Sequence, residues 1–297
     1  MSDSLSGGRQ KKGDRMNRIG INLWNWSNDP SEDYIKWITR AADMGFRAVE
    51  LPMLNLDSVC WETVGEYARS RKLEITMCAS LPAGRDISSF KEEERENARK
   101  YLLRCCRIGG VLGATVLAGP IYSGGGKRHA LPKEQKEREW DYAVCGLREI
   151  ALEAEANGLK LGIEPINRYR TSIVNTVDQG LKMAADIGIG NVGLLYDTYQ
   201  ANIEEADMAD ALRRVTEQGK LAHFHACENN REAPGRGHID WESMIAILKR
   251  YGYEGHCTME LFCQGGLDAS WQSAGDRDEE ARQGLKCLTS YMKETVL

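Results

Sequence analysis

Eight times after Arg18 the chain repeats one beat: a short apolar, β-branched or aromatic run, then a longer segment with helical spacing. The apolar runs fall at 18–24, 48–53, 74–80, 114–120, 160–166, 192–197, 221–226 and 256–262. Continuous runs of this kind suit strands buried on both faces of a parallel sheet. Helical spacing follows at 31–44, 57–71, 89–109, 132–157, 177–187, 204–218, 241–251 and 277–295. In the first of these, Ile35, Trp37, Ile38, Ala41 and Ala42 share one side and Gly45 is the stop. Gly158, Gly188 and Gly252 follow helical segments, where a left-handed glycine ends a helix. Eight alternating units without a break in composition predict an α/β fold, a single-domain (β/α)8 TIM barrel over 17–297. A doubly wound nucleotide fold would need Gly-x-Gly-x-x-Gly after its first strand. The run of three glycines, Gly124–Gly126, follows the fourth strand without that spacing.

The remaining composition narrows the function classes. With 297 residues and a net charge of −5, the chain has no basic stripe interleaved with aromatics, which excludes nucleic acid as an expected partner. Its apolar runs are strand-length, so no membrane span is expected. Residues 1–16 are rich in Ser, Gly, Lys and Arg, lack an apolar core, and read as a disordered tail rather than a secretory signal. Nine cysteines, an odd number without zinc-site spacing, read as small buried hydrophobes in a reducing cytoplasm. Cys227, two residues after His225, is the one to watch for thiol chemistry.

Four runs in the second half end on a group that is costly to bury. They are Gly-Ile-Glu164-Pro, Leu-Tyr-Asp197-Thr, His223-Phe-His225 and Met-Glu260-Leu. A carboxylate at such a place needs a partner or a metal. On a barrel, the ends of strands five to eight converge at the C-terminal rim, where chemistry is built. Three oxygen donors and one nitrogen suit a divalent ion of the Mn²⁺, Mg²⁺ or Co²⁺ kind better than a thiolate-seeking one.

At these residues the chain resembles the ketose 3-epimerases, the D-tagatose and D-psicose 3-epimerase family within the xylose-isomerase-like barrels. The motifs are Gly-Ile-Glu164-Pro-Ile-Asn167-Arg168-Tyr, Asp197-Thr-Tyr199 with Asn202-Ile-Glu-Glu, His223-Phe-His225 with Glu228 and Arg231, Pro234-Gly-Arg-Gly237, and Met-Glu260. The resemblance implies that Glu164, Asp197, His225 and Glu260 hold a divalent metal, with Mn²⁺ the first expectation and Co²⁺ or Mg²⁺ the alternatives. It implies that Glu164 and Glu260 are also the catalytic pair, on opposite faces of a sugar carbon, and that Arg231 binds a substrate oxygen, with Glu228 orienting it. One Glu would remove the proton beside a polarised carbonyl and the other would return it through a cis-enediolate, general-base help worth roughly 10²–10⁴-fold. The partner implied is a small sugar or sugar derivative, and the assembly a homodimer or homotetramer.

Other positions depart from that pattern. Arg170 stands where the epimerases carry a Glu, Gln200 where they carry a His, and Asn22, in Gly20-Ile-Asn22-Leu-Trp24, where they often carry a Tyr. The loop Ser123-Gly-Gly-Gly126-Lys127-Arg128-His129 replaces a bulky aromatic wall and reads as an opening for a larger substrate or a mobile lid. Arg170, Gln200, Asn22 and Trp24 are therefore expected substrate contacts, with Arg170 suited to a carboxylate or phosphate. Trp26, Phe262 and Trp271 lie near strand ends or rim loops as further stacking surfaces. Glu50, ending the second strand, is expected to hydrogen-bond a ligand side chain or form an ion pair, and His223 to pack beside His225 rather than bind metal. The competing reading is a metal-dependent lyase on the same scaffold, similar to the catalytic subunit of C-glycoside deglycosidases acting on a 3-keto sugar with a small partner subunit. Simple sugar binding is disfavoured, because it does not need both carboxylates.

Overall fold

The computed structural model describes residues 18–265 and 275–293. The expected tail at 1–16 and Trp271 lie outside the described residues. Eight strands close in sequence order: β1 (Ile19–Asn22), β2 (Ala48–Pro52), β3 (Glu74–Cys78), β4 (Val116–Gly119), β5 (Lys160–Ile163), β6 (Val192–Asp197), β7 (Leu221–Ala226) and β8 (Cys257–Met259). Every pairing is parallel, and β1 meets β8 through Ile19–Cys257, Gly20–Thr258 and Ile21–Met259. The expected barrel is the one observed.

The surrounding helices are α1 (Tyr34–Met44), α2 (Trp61–Ser70), α3 (Glu92–Leu112), α4 (Lys133–Ala156), α5 (Val177–Ile187), α6 (Thr198–Glu204), α7 (Met208–Glu217), α8 (Trp241–Arg250) and α9 (Arg277–Lys293). The helix expected at 204–218 is α7, and a further short helix, α6, precedes it. Asp197 accepts from the backbone N–H groups of Tyr199 and Gln200 and starts α6 directly off β6. Glu205 then turns to extended backbone, and Asp207 caps α7 by accepting from Asp210 N. Several strands are shorter than their apolar runs. Glu164 and Glu260 therefore sit one residue past β5 and β8, on the loops of the C-terminal rim.

Close packing fixes some residue choices. Gly119 ends β4 at φ 138°, and a Cβ there would lie 2.1 Å from the Ala79 carbonyl oxygen, so only glycine lets β4 lean on the loop after β3. The ring is also fastened from its far end. Arg277 of α9 bonds the Asn25 side chain at 2.8 Å, and Asp278 accepts from Trp26 Nε1 at 2.8 Å and pairs with Arg40. Among the described residues, no helix is long and apolar enough to cross a membrane.

The glycine-rich loop is bonded to its neighbours, and Gly124–Gly126 form part of a cavity wall at the C-terminal rim. Gly125 N donates to Leu81 O at 2.9 Å, and Gly124 pairs with Leu81 as a β-bridge. Lys127, nearly buried, is held by Asp86 at 2.9 Å and Glu139 at 2.8 Å, and its carbonyl accepts from Ser172 N. Glycine here serves close approach to the neighbouring loop, since a Cβ on Gly124 would meet Asp86 at 2.9 Å.

Candidate active site

All four expected ligand positions are buried and face one region. Glu164, Asp197 and His225 each offer a donor atom within 4.8 Å of the others. Glu260 joins them, with Oε1 3.4 Å from His225 Nδ1, and Asp197 Oδ2 lies 3.7 Å from the same nitrogen. Both ring nitrogens of His225 are buried without a hydrogen bond of good geometry. Among the described residues, no cation lies within ion-pair distance of Glu164. A buried imidazole nitrogen, an unpaired Glu164 and two further carboxylate oxygens are a donor set that a hard divalent ion satisfies, so the residues fit such a metal.

Capping and long-range bonds aim these groups. Asp197 spends Oδ1 on the α6 N-terminus, which leaves Oδ2 for the site. His225 is held from behind by Glu50, whose Oε2 lies 2.8 Å from Nε2, while Oε1 lies 2.9 Å from His223 Nε2. Strands β2 and β7 are not neighbours, so this contact crosses the barrel interior. Asn22 Nδ2 donates to Glu50 at 2.8 Å, and Thr76 adds a long hydrogen bond at 3.4 Å. Glu50 thus lies at ion-pair distance from both histidines, one of them the expected ligand His225, and His223 stacks edge-on against His225 at 5.0 Å.

Electrostatics divide the acids. Burial and the charges of Glu260 and Asp197 push Glu164 well above the usual carboxylate range. Burial also raises Glu260, with His225 and Arg231 only partly offsetting it. In Asp197 burial pushes up, but Arg231 and His225 outweigh it and the group stays ionised. Glu50 is likewise held low, because its two histidines overcome burial. His225 is raised by Glu50 and Glu260 against burial, whereas burial lowers His223.

Arg231 supplies the positive charge. Its Nη1 donates to Asp197 Oδ2 at 3.0 Å and Glu260 Oε2 at 2.9 Å, and its guanidinium lies over the Tyr199 and Phe262 rings at 4.1 and 5.1 Å. The backbone there is left-handed, at φ 65°, a conformation costing a non-glycine residue about 1 kcal/mol or more. Glu228 does not orient this side chain with its own. Its carboxylate accepts from Gly235 N, Ile239 N and Trp241 Nε1, and the link to Arg231 is the backbone turn from Arg231 N to Glu228 O.

Above the quartet lies a cavity of about 270 Å³, whose wall includes Trp24, Arg170, Gln200, Arg231 and Phe262. Gln200 reaches it while accepting from Asn167 N and Nδ2. Asn22 is absent from that wall. Its side chain is engaged by Glu50, Trp24 N and Cys78, which makes it a support. Trp26 stacks on Trp37 instead of facing the cavity. Cys227 is a buried thiol pushed well up by burial and Asp197, unlike a reactive one. The sequence reading missed Cys78 and Thr171 as wall residues; the position of Cys78 at the end of an apolar run was the available signal.

Residues 38–291 match the model of the xylose isomerase-like TIM barrels. The chain belongs to that family. A D-psicose 3-epimerase of Enterocloster bolteae is 29% identical over 275 residues, covering 89% of this chain and 90% of its own. An L-ribulose 3-epimerase of Mesorhizobium japonicum is also 29% identical, covering 83% and 82%. Among solved structures, a D-psicose 3-epimerase with D-tagatose from Clostridium cellulolyticum H10 superposes with a TM-score of 0.86 at 26% identity, covering 93% of this chain and all of that one. The resemblance carried by the strand-end motifs is thereby upheld over nearly the whole chain.

Proposed function

We propose that this protein is a divalent-metal-dependent ketose 3-epimerase. The observation that carries the reading is the pair Glu164 and Glu260, projecting from β5 and β8 into one cavity with raised proton affinity. Glu164, Asp197, His225 and Glu260 would hold the metal, Mn²⁺ before Co²⁺ or Mg²⁺, which when bound polarises a substrate carbonyl and so acidifies the neighbouring C–H. One glutamate takes the C3 proton as a general base and the other delivers a proton to the opposite face, which inverts the centre. Arg231 steadies negative charge on the enediolate oxygens. Trp24 and Phe262 wall the sugar and exclude water. The lyase alternative gains no observation of its own, and the relatives are named for epimerisation. A homodimer or homotetramer goes with this reading and is checked by sedimentation.

The test is to incubate the Mn²⁺-loaded protein in D₂O with D-fructose, D-psicose, D-tagatose and L-ribulose and follow C3 by NMR. Deuterium at C3 with inversion is the expected result. No exchange at C3 of any ketose, free or substituted, sinks the proposal.

A further inference from the structure

We propose that the catalytic cavity opens into a second subsite for an anionic unit of the substrate, so that the preferred substrate is a ketose bearing an acidic glycosyl substituent. This rests on the epimerase reading of the inner site. The inner cavity, about 270 Å³, lies just below the roughly 300–1,000 Å³ usual for small-molecule pockets and has room for one sugar. Against it lies a cavity of about 870 Å³, larger than a monosaccharide needs. The two share Trp24, Cys78, Ala79, Ser80 and Pro82 as wall, so they adjoin along one side.

The outer wall is cationic although the chain is net acidic. Its three basic residues are not equivalent. Arg104 is paired with Asp57 at 2.5 Å, and Lys100 lies 3.5 Å from Glu96. Arg85 is half-buried and, among the described residues, has no carboxylate within ion-pair distance. Its guanidinium lies 4.4 Å from the Tyr101 ring. That ring is fixed, because Tyr101 Oη donates to Met53 O at 2.7 Å. The backbone turn carrying Arg85 is closed by its own N–H to Pro82 O at 3.0 Å. A guanidinium held on a fixed ring, with its donors unspent on acids, suits a carboxylate or a phosphate. Ser80 on the same wall offers a neutral hydroxyl of the kind a second sugar ring uses, whereas the Asn55 amide nitrogen is spent on Asp29 and Ser31.

The experiment compares C3 exchange in D₂O by the Mn²⁺-loaded protein on four ketoses. They are D-fructose, isomaltulose (fructose carrying a neutral glucosyl unit on O6), its 6′-carboxylate and its 6′-phosphate. The expected result is kcat/KM for at least one acidic disaccharide about tenfold or more above isomaltulose, falling to within about twofold in Arg85→Ala. Which acid gains more identifies the source of the anion. Exchange on D-fructose without such a gap, or with a gap that survives Arg85→Ala, overturns the subsite and leaves the epimerase reading standing. If none of the four exchanges, the epimerase reading falls instead. Saturation-transfer NMR of the 6′-carboxylate then decides the outer site: binding lost in Arg85→Ala supports it, and absent or Arg85-independent binding overturns it.

Discussion

Glu50 and Glu164 are the same residue type, both buried, one in the middle of β2 and one just past β5, and they are driven in opposite directions. Glu50, on β2, faces two histidines and an asparagine and is held ionised. Glu164, past β5, faces other carboxylates and is pushed toward its protonated form. The contrast extends to the two halves of the barrel. The rim of β1–β4 presents Asn22, Glu50, Cys78 and Gly119, whose polar groups are spent on internal bonds. The rim of β5–β8 gathers three carboxylates around His225, of which Arg231 pairs with Asp197 and Glu260 and leaves Glu164 without an ion-pair partner among the described residues. Environments that separate the proton affinities of like groups mark the division between support and chemistry. Here that division follows the chain.

The comparison can be broken by substitution. Glu164→Gln and Glu260→Gln each remove a base, and C3 exchange is expected to fall about 10²–10⁴-fold with the barrel intact. A loss below tenfold in either would mean that the second half does not hold both proton carriers. Lys127→Met strands Asp86 and Glu139 and is expected to cost about 3 kcal/mol in urea unfolding. An unchanged midpoint would restore the reading of that loop as mobile. Glu50→Gln is expected to weaken metal binding about 10–100-fold by calorimetry, with a smaller effect on exchange at saturating metal. A collapse of exchange as deep as that of Glu164→Gln would erase the distinction between the halves.

The smallest effect is one of pH. Burial pushes Asp86 up, but the Lys127 bond, the Gly124 N–H and Ser88 outweigh it, so its folded pKa lies below the ordinary 3.8. A depressed acid contributes stability that is present above the unfolded value and lost as pH falls through the folded one. Stability should therefore decline below pH 3.8, and less steeply in Lys127→Met. Equal slopes would remove Lys127 as the cause.

The periodic features were legible in the chain. Eight apolar runs predicted eight strands, and the residues that ended four of them, Glu164, Asp197, His225 and Glu260, were the ones that converge. Contacts that depend on three-dimensional closure were not legible. No spacing announces that Glu50 reaches His225 across the barrel, or that Lys127 meets Asp86 and Glu139 on two other segments. Asn22 was misread as a wall residue because its strand-end position is right and only its bonds to Glu50 and Cys78 turn it away. Helix α6 was hidden because one aspartate serves both as expected ligand and as helix cap.

The grip of α9 on the first loop has a reach beyond the outer layer. Asn25 and Trp26, which it holds, directly follow Trp24, the ring that walls both cavities. Helix α9 thus anchors the loop that carries Trp24, so the outer layer and the wall of both cavities are mechanically one piece.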